Sequence, residues 1–316
     1  MKRKIRDGKT IVNKSFPNPF QKTLTGGTSL FPTLPVTASD LSFLKMVGTG
    51  NDFVMIDNRD GIFPMENTRL VQKLCDRRNG IGADGIILIE NSPKNHFRMR
   101  IVNADGSEAD MCGNGARCAV RFAETLGVWN NTNPSFAATL SIETHAGELK
   151  AWIEKDGIRL NMGQPKDYRD VQKITLGEKK LDTYFVNTGV PHAVIFVDDV
   201  LSVPVSDWGK QVRHHSIFKP KGANCNFVQI TGSQTIRVRT FERGVEEETF
   251  SCGTGTCAAA ILAVLEKGLQ WPVTSTTLRN EQLKVDSKIS AQNRFEDFFL
   301  IGPANICFSG KIQWVG

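Results

Sequence analysis

No run in the 316 residues approaches the roughly 18 consecutive apolar positions that a membrane-spanning helix needs. The longest, Ala258 to Leu265, has the length of a buried helix. There is no Cys-x-x-Cys pair, and no histidine stands at metal-ligand spacing from the seven cysteines at 75, 112, 118, 225, 252, 257 and 307. A disulfide scaffold and a structural zinc site are therefore poor readings. Cysteine used this way fits a reducing compartment, so a cytoplasmic protein is expected. Blocks of like charge are also missing: the net charge of +6 is spread among mixed Lys, Arg, Asp and Glu, which argues against nucleic-acid binding. What remains is an ordinary globular composition, 40% hydrophobic and 23% charged, long enough for two domains with separate cores.

Residues 1–40 differ from the rest, with seven Lys/Arg against two Asp, four Pro and no apolar periodicity. They read as a disordered extension or leader. Their basic, acid-poor composition overlaps with that of transit peptides, which would make a plastid the alternative location. Folded sequence is expected from Leu41. Its most informative feature is an internal repeat. Arg98-Met-Arg100-Ile-Val precedes a polar loop, Cys112-Gly113-Asn114-Gly115 and an apolar helix pattern. Arg237-Val-Arg239-Thr-Phe precedes a polar loop, Cys252-Gly253-Thr254-Gly255 and another apolar helix pattern. Residues 41–160 with a C-terminal segment of about 300–316 are expected to form a first lobe, and residues 161–299 a second.

Apolar residues at Cys118, Ala119, Phe122, Ala123 and Leu126 follow helical spacing, and Gly127 supplies a stop. The second pattern, from about Thr254 to Lys267 with Gly268 behind it, is apolar nearly all round and should be enclosed by sheet. Most other segments, Ile86–Ile89 and Ala193–Val197 among them, are short and β-rich. A cysteine just before a helix sits beside unpaired N–H groups and the positive end of the helix dipole, which favours thiolate and predicts titration nearer neutrality. The glycines let backbone N–H groups approach a carboxylate closely. Two such turns facing each other would place one sulfur on each side of an amino acid's α-carbon, the arrangement for moving a proton from one face to the other. A lone Cys-Gly is ordinarily packing; duplication in matching contexts changes that reading. Gly253-x-Gly255-x-x-Ala258 formally matches a dinucleotide fingerprint but lacks the βαβ unit and the acidic residue beyond it. Cys75, Cys118, Cys225, Cys257 and Cys307 are read as packing residues.

These residues resemble the diaminopimelate epimerase family, within the group that includes proline racemase and the phenazine-biosynthesis isomerases. The resemblance runs from Phe43 to the C-terminus. It rests on Gly50-Asn51-Asp52-Phe53, Gly80-Ile-Gly82-Ala-Asp84-Gly85, Asn103 through Cys118, Pro191-His192, Glu242-Arg243-Gly244-Val245 and Ser251 through Cys257. It implies an α+β fold of two pseudo-symmetric lobes, each a curled, mostly antiparallel, barrel-like sheet around a central helix, with the active site in the cleft between them. It further implies epimerisation of LL-2,6-diaminopimelate to the meso form, in lysine and peptidoglycan precursor synthesis, without metal, pyridoxal phosphate or other cofactor. Cys112 and Cys252 would be the catalytic pair. Gly113, Asn114, Gly253 and Thr254 would hold the carboxylate at the reacting centre, and Asn51, Asn103, Asn224, Glu242 and Arg243 the rest of the substrate. His192 and Glu242 would tune Cys112 and Cys252 respectively. The only partner implied is a small-molecule amino acid, with neither nucleic acid nor membrane; a homodimer is left open. One departure stands out: Gly189-Val190-Pro191-His192 replaces the family's common Gly-Asn-Pro-His, which leaves room for a racemase of another amino acid such as histidine. From a different class, a non-catalytic amino-acid-binding protein is the remaining alternative.

Overall fold

The computed structural model describes residues 40–128, 139–289 and 295–313, so the N-terminal extension lies, but for Asp40, outside the described residues. The first half of the chain runs β1 (Asp40–Val47), β2 (Asp52–Asp57), α1 (Thr68–Cys75), β3 (Gly85–Glu90), β4 (Phe97–Asn103), the two-residue β5 (Glu108–Ala109), α2 (Gly113–Thr125), β6 (Leu140–Thr144), β7 (Gly147–Glu154) and β8 (Gly157–Asn161). The second runs β9 (Lys166–Leu176), β10 (Lys179–Asn187), β11 (Pro191–Phe196), α3 (Val205–Arg213), β12 (Asn224–Gly232), β13 (Thr235–Glu242), β14 (Glu247–Thr249), α4 (Gly253–Lys267), β15 (Val273–Thr276), β16 (Gln282–Ile289) and β17 (Phe295–Gly302). Strand β18 (Asn305–Gln313) closes the chain.

Pairing shows the duplication strand for strand. One half is ordered β18-β1-β2-β3-β4-β6-β7-β8 and the other β9-β10-β11-β12-β13-β15-β16-β17. In each, the parallel pairs fall at the same places, β2 with β3 and β4 with β6, β11 with β12 and β13 with β15. Parallel neighbours need a crossover, and each crossover carries a helix. Antiparallel pairing of β8 with β17 joins the halves into one ribbon. The ribbon curls but stays open, because among the described residues β9 pairs only with β10 and β18 only with β1.

Each half wraps its sheet around an inner helix and carries a shorter helix outside. In the first, α2 packs with Met55, Ile87, Phe97 and Leu160, while α1 covers Val54, Ile86 and Leu88 on the opposite face. Strand β3 is consequently apolar at every position from Ile86 to Ile89, the pattern of a strand buried on both sides. In the second half α4 fills the inner cluster with Ala258–Ala263, and α3 covers Phe227 and Phe241 outside. Helix α4 ends at Gly268, left-handed at φ 72°, a conformation that glycine adopts without a Cβ penalty.

Cys75, Cys118, Cys225 and Cys257 are buried in these layers, but Cys307 is exposed. Its reading as a packing residue fails because β18 is an edge strand along which Ile306, Cys307 and Phe308 are all exposed.

Leu300, fully buried on β17 at the joining seam and paired with Leu160 of β8, belongs to the α4 core. A leucine so enclosed leaves a cavity when truncated, so Leu300→Ala is expected to cost about 2–5 kcal/mol of stability. Chemical denaturation of the variant beside the unaltered chain measures it.

Candidate active site

Both inner helices begin on a cysteine. Cys112 caps α2 in extended backbone (φ −143°, ψ 118°), and Cys252 caps α4 likewise (φ −121°, ψ 110°). The Gly115 N–H donates to Cys112 Sγ at 3.5 Å. The glycine pattern has a steric cause: a Cβ at Gly255 would stand 2.3 Å from Asn226 Oδ1 and 3.3 Å from Cys252 Sγ. The two helix starts meet at the seam. Cβ atoms placed on Gly113 and Gly253 would lie 3.6 and 3.0 Å from the same Leu300 methyl, and the one on Gly253 also 3.8 Å from Asn114 Oδ1.

A polar network frames the first helix start. Asn114, buried, donates to the Thr49 carbonyl at 2.9 Å and to Asn51 Oδ1 at 2.8 Å; Asn51 in turn donates to Asp84 at 2.9 Å. Arg77 binds both Asp52 and Asp84 at 2.7 Å, and Lys45 lies 2.7 Å from Asp52. Burial works to raise the Asp52 carboxyl, yet the Arg77 and Lys45 hydrogen bonds hold it well below the usual carboxylate range. Asn103 ends β4, its amide donating to Ser107 Oγ at 3.0 Å.

A different network serves the second. Asn226 accepts from Thr240 Oγ1 at 3.0 Å and donates to the Ala193 carbonyl at 3.0 Å, which fixes its amide so that its nitrogen also meets His192 Nδ1 at 3.1 Å. The Nδ1 then accepts, leaving Nε2–H to donate to Thr254 Oγ1 at 2.9 Å. That leaves the Thr254 hydroxyl hydrogen free for Cys252 Sγ, 3.5 Å away. His192 therefore reaches Cys252 through the Thr254 hydroxyl, whereas the resemblance paired it with Cys112. Asn226, which sequence reasoning missed, is the hinge of this relay; its signal was alternation, since it shares a face of β12 with Asn224. Asn224 itself is occupied by backbone, donating to Pro191 O at 3.2 Å and accepting from Arg243 N at 2.7 Å. Arg243 and Val190 line a cavity of about 300 Å³ with Asn187 and Lys221, whereas Asn51 and Gly50 line a second, of about 420 Å³, with Arg77 and Arg279.

Burial sets the resting protonation. It pushes the Cys252 thiol up to about 12, with the negative charge of Glu242 adding to it, and raises Cys112 as well. The expected titration nearer neutrality does not hold, because desolvation outweighs the helix-end N–H groups that oppose it. Glu242 is itself pushed up by burial, with the Thr249 hydroxyl working against it.

The model of the family described as diaminopimelate epimerase matches residues 43–167 and 184–306. The chain belongs to the diaminopimelate epimerase family. The enzyme so named from Aquifex aeolicus (strain VF5) is 40% identical over 285 residues, covering 86% of this chain and 98% of that protein. The one from Methanocella arvoryzae is 44% identical over 285 residues, covering 86% and 97%. Among solved structures, a Bacillus anthracis phenazine biosynthesis protein of the PhzF family superposes with TM-score 0.68 at 15% identity, covering 87% of this chain and 100% of that one. A hydroxyproline epimerase from Agrobacterium vitis does so at 0.63, also 15% identical, covering 89% and 94%. These likenesses bear on the α+β fold of two duplicated halves.

Burial, with the Arg243 charge adding to it, holds the His192 imidazole down at about 3. Between there and an unfolded histidine's value near 6.5, the unfolded chain takes up a proton that the folded chain refuses, so stability is lost as pH falls through this window. At pH 5 the loss from His192 is about 2 kcal/mol. Raised Glu242 works in the opposite direction, so the comparison that isolates His192 is with His192→Gln. That variant should lose less stability between pH 7 and pH 5 in denaturant titrations; an equal loss counts against the assignment.

Proposed function

We propose that this family member is an isomerase that converts LL-2,6-diaminopimelate to the meso form, with Cys112 and Cys252 as its two acid–base groups. The observation that carries this reading is the meeting of two cysteine-capped helix starts at one leucine methyl. A carboxylate docked there is met by N–H groups of Gly113, Asn114, Gly253 and Thr254, with the positive ends of two helices behind them. The Cys112 thiolate takes the α-proton, the Cα–H electron pair passes into the carboxylate as an enolate-like anion, and the Cys252 thiol returns a proton on the opposite face. Cys112 ends protonated and Cys252 ionised, with the Thr254 hydroxyl and the neutral His192 behind it holding the new thiolate. Helix-end donors fixed in a buried site stabilise the developing charge more than water does. The buried hydroxyls of Thr49 and Ser251, without a protein partner, flank Gly50 at the same junction and suit a polar ligand. Arg243, with guanidinium nitrogens to spare, suits the distal carboxylate, while Asn51 and Asn103 serve the substrate from the first half.

Lysine and peptidoglycan precursor synthesis in the cytoplasm is the setting that fits seven free cysteines. Exposed Ile306 and Phe308 on the β18 edge support a homodimer formed along that strand. The second reading, racemisation of another amino acid such as histidine, rests on Val190, an apolar residue in the Arg243 cavity.

In deuterium oxide, LL-diaminopimelate should acquire α-deuterium with the unaltered chain and histidine should not. Cys112→Ala and Cys252→Ala should each abolish net epimerisation. Turnover that survives in either variant defeats the two-sulfur reading; exchange of histidine alone favours the second.

A further inference from the structure

Arg117 is the largest fully buried side chain among the described residues, and none of its hydrogen bonds goes to a carboxylate. Its guanidinium donates to the Gly48 carbonyl at 2.9 Å, to Asn114 Oδ1 at 2.9 Å, to the Pro303 carbonyl at 3.2 Å and to the Gly113 carbonyl at 3.3 Å. The space is shaped for it, since a Cβ on Gly302 would stand 3.1 Å from its Nε. A buried cation held only by neutral acceptors is costly, and removing those acceptors would cost more. Arginine stays charged under such conditions where lysine would shed its proton.

The duplicated half has no counterpart. Helix α4 carries Cys257, neutral and fully buried, the same number of residues beyond Cys252 as Arg117 is beyond Cys112. The backbone repeat is symmetric while the charge is not. We propose that Arg117 is a positioning residue: it ties the first turn of α2 to the loops at Gly48 and Pro303 that frame the cleft, and its fixed positive charge favours the thiolate of Cys112 over that of Cys252. This rests on the two-sulfur reading above.

The groups facing Cys112 are Arg117 on its own helix, Glu242 from β13 and Cys252 from the start of α4; at Cys112 the Arg117 charge opposes the effect of burial and exceeds that of Glu242. At Cys252 the balance reverses, with Glu242 the leading charge. Facing Arg117 are Cys112, Cys118, Cys257 and, more weakly, Glu281.

The test reads thiol ionisation rather than turnover. Iodoacetamide alkylation, mapped by peptide mass spectrometry, is followed against pH for Cys112 in the Cys252→Ala chain and for Cys252 in the Cys112→Ala chain. Access scales the rate equally at all pH values, so the midpoint is compared. Cys112 should have the lower midpoint, and adding Arg117→Met should slow its alkylation about tenfold on the rising limb, the equivalent of one pH unit in midpoint. The Cys252 midpoint should stay in place. A folded Arg117→Met chain with an unmoved Cys112 midpoint overturns the proposal. Should that variant fail to fold, a Cys112 midpoint at or above that of Cys252 with Arg117 present overturns it equally. Either result leaves the two-sulfur reading standing, since that falls only if Cys112→Ala or Cys252→Ala keeps its turnover.

Discussion

The convergence of two helix N-termini on Leu300 is the constraint from which the rest of the molecule follows. Leu300 lies on β17 opposite Leu160 of β8, so the pair of strands that joins the two halves also forms the floor on which both helix starts rest. The same methyl lies in front of both Gly113 and Gly253, in ordinary contact range of a Cβ at the first and closer than one fits comfortably at the second. Had the halves been linked by a flexible tether, neither the seam nor the facing of the helices would be fixed. A continuous hydrogen-bonded ribbon holds them in one register.

Two effects compete at the sulfurs, and their magnitudes decide the resting state. Helix ends and N–H donors favour thiolate, but burial costs more, so both thiols are raised. The same low dielectric that disfavours a thiolate strengthens every fixed dipole and charge acting on an anion once one forms. Were a carboxylate bound there as proposed, the same environment would stabilise the charge developing on it. The hydrogen-bond relay through Asn226, His192 and Thr254 adds a donor at Cys252 without adding a charge, because His192 is held neutral.

Much of this was legible in sequence because the repeated Cys-Gly-x-Gly turn marks both helix starts and the duplication at once. Helices α2 and α4 and the apolar runs of β3 and β11 could be read from periodicity. Helices α1 and α3 escaped, being only eight and nine residues long and closer in length to the strands around them than to the inner helices. The partner of His192 could not be read, because it depends on β11 lying parallel to β12, a long-range pairing that no local pattern encodes. Cys307 misled because cysteine is usually buried, and only the pairing of β18 shows it to be an edge. Arg117 was hidden in plain view as a polar residue within an apolar helix pattern, where surface exposure is the ordinary expectation.

Under the proposed two-sulfur mechanism, duplication explains why proton transfer could be offered from two faces, but a perfectly symmetric site would treat its two sulfurs alike and leave the proton shared. The departures from symmetry are side chains placed on matching backbone: Arg117 against Cys257, Asn114 against Thr254, a carbonyl-held guanidinium on one side and a neutral histidine relay on the other. Each half thus keeps the geometry of its twin while offering a different electrostatic environment. On the two-sulfur reading proposed above, symmetric geometry would deliver the proton to either face, and asymmetric charge would set which sulfur holds it when the substrate arrives.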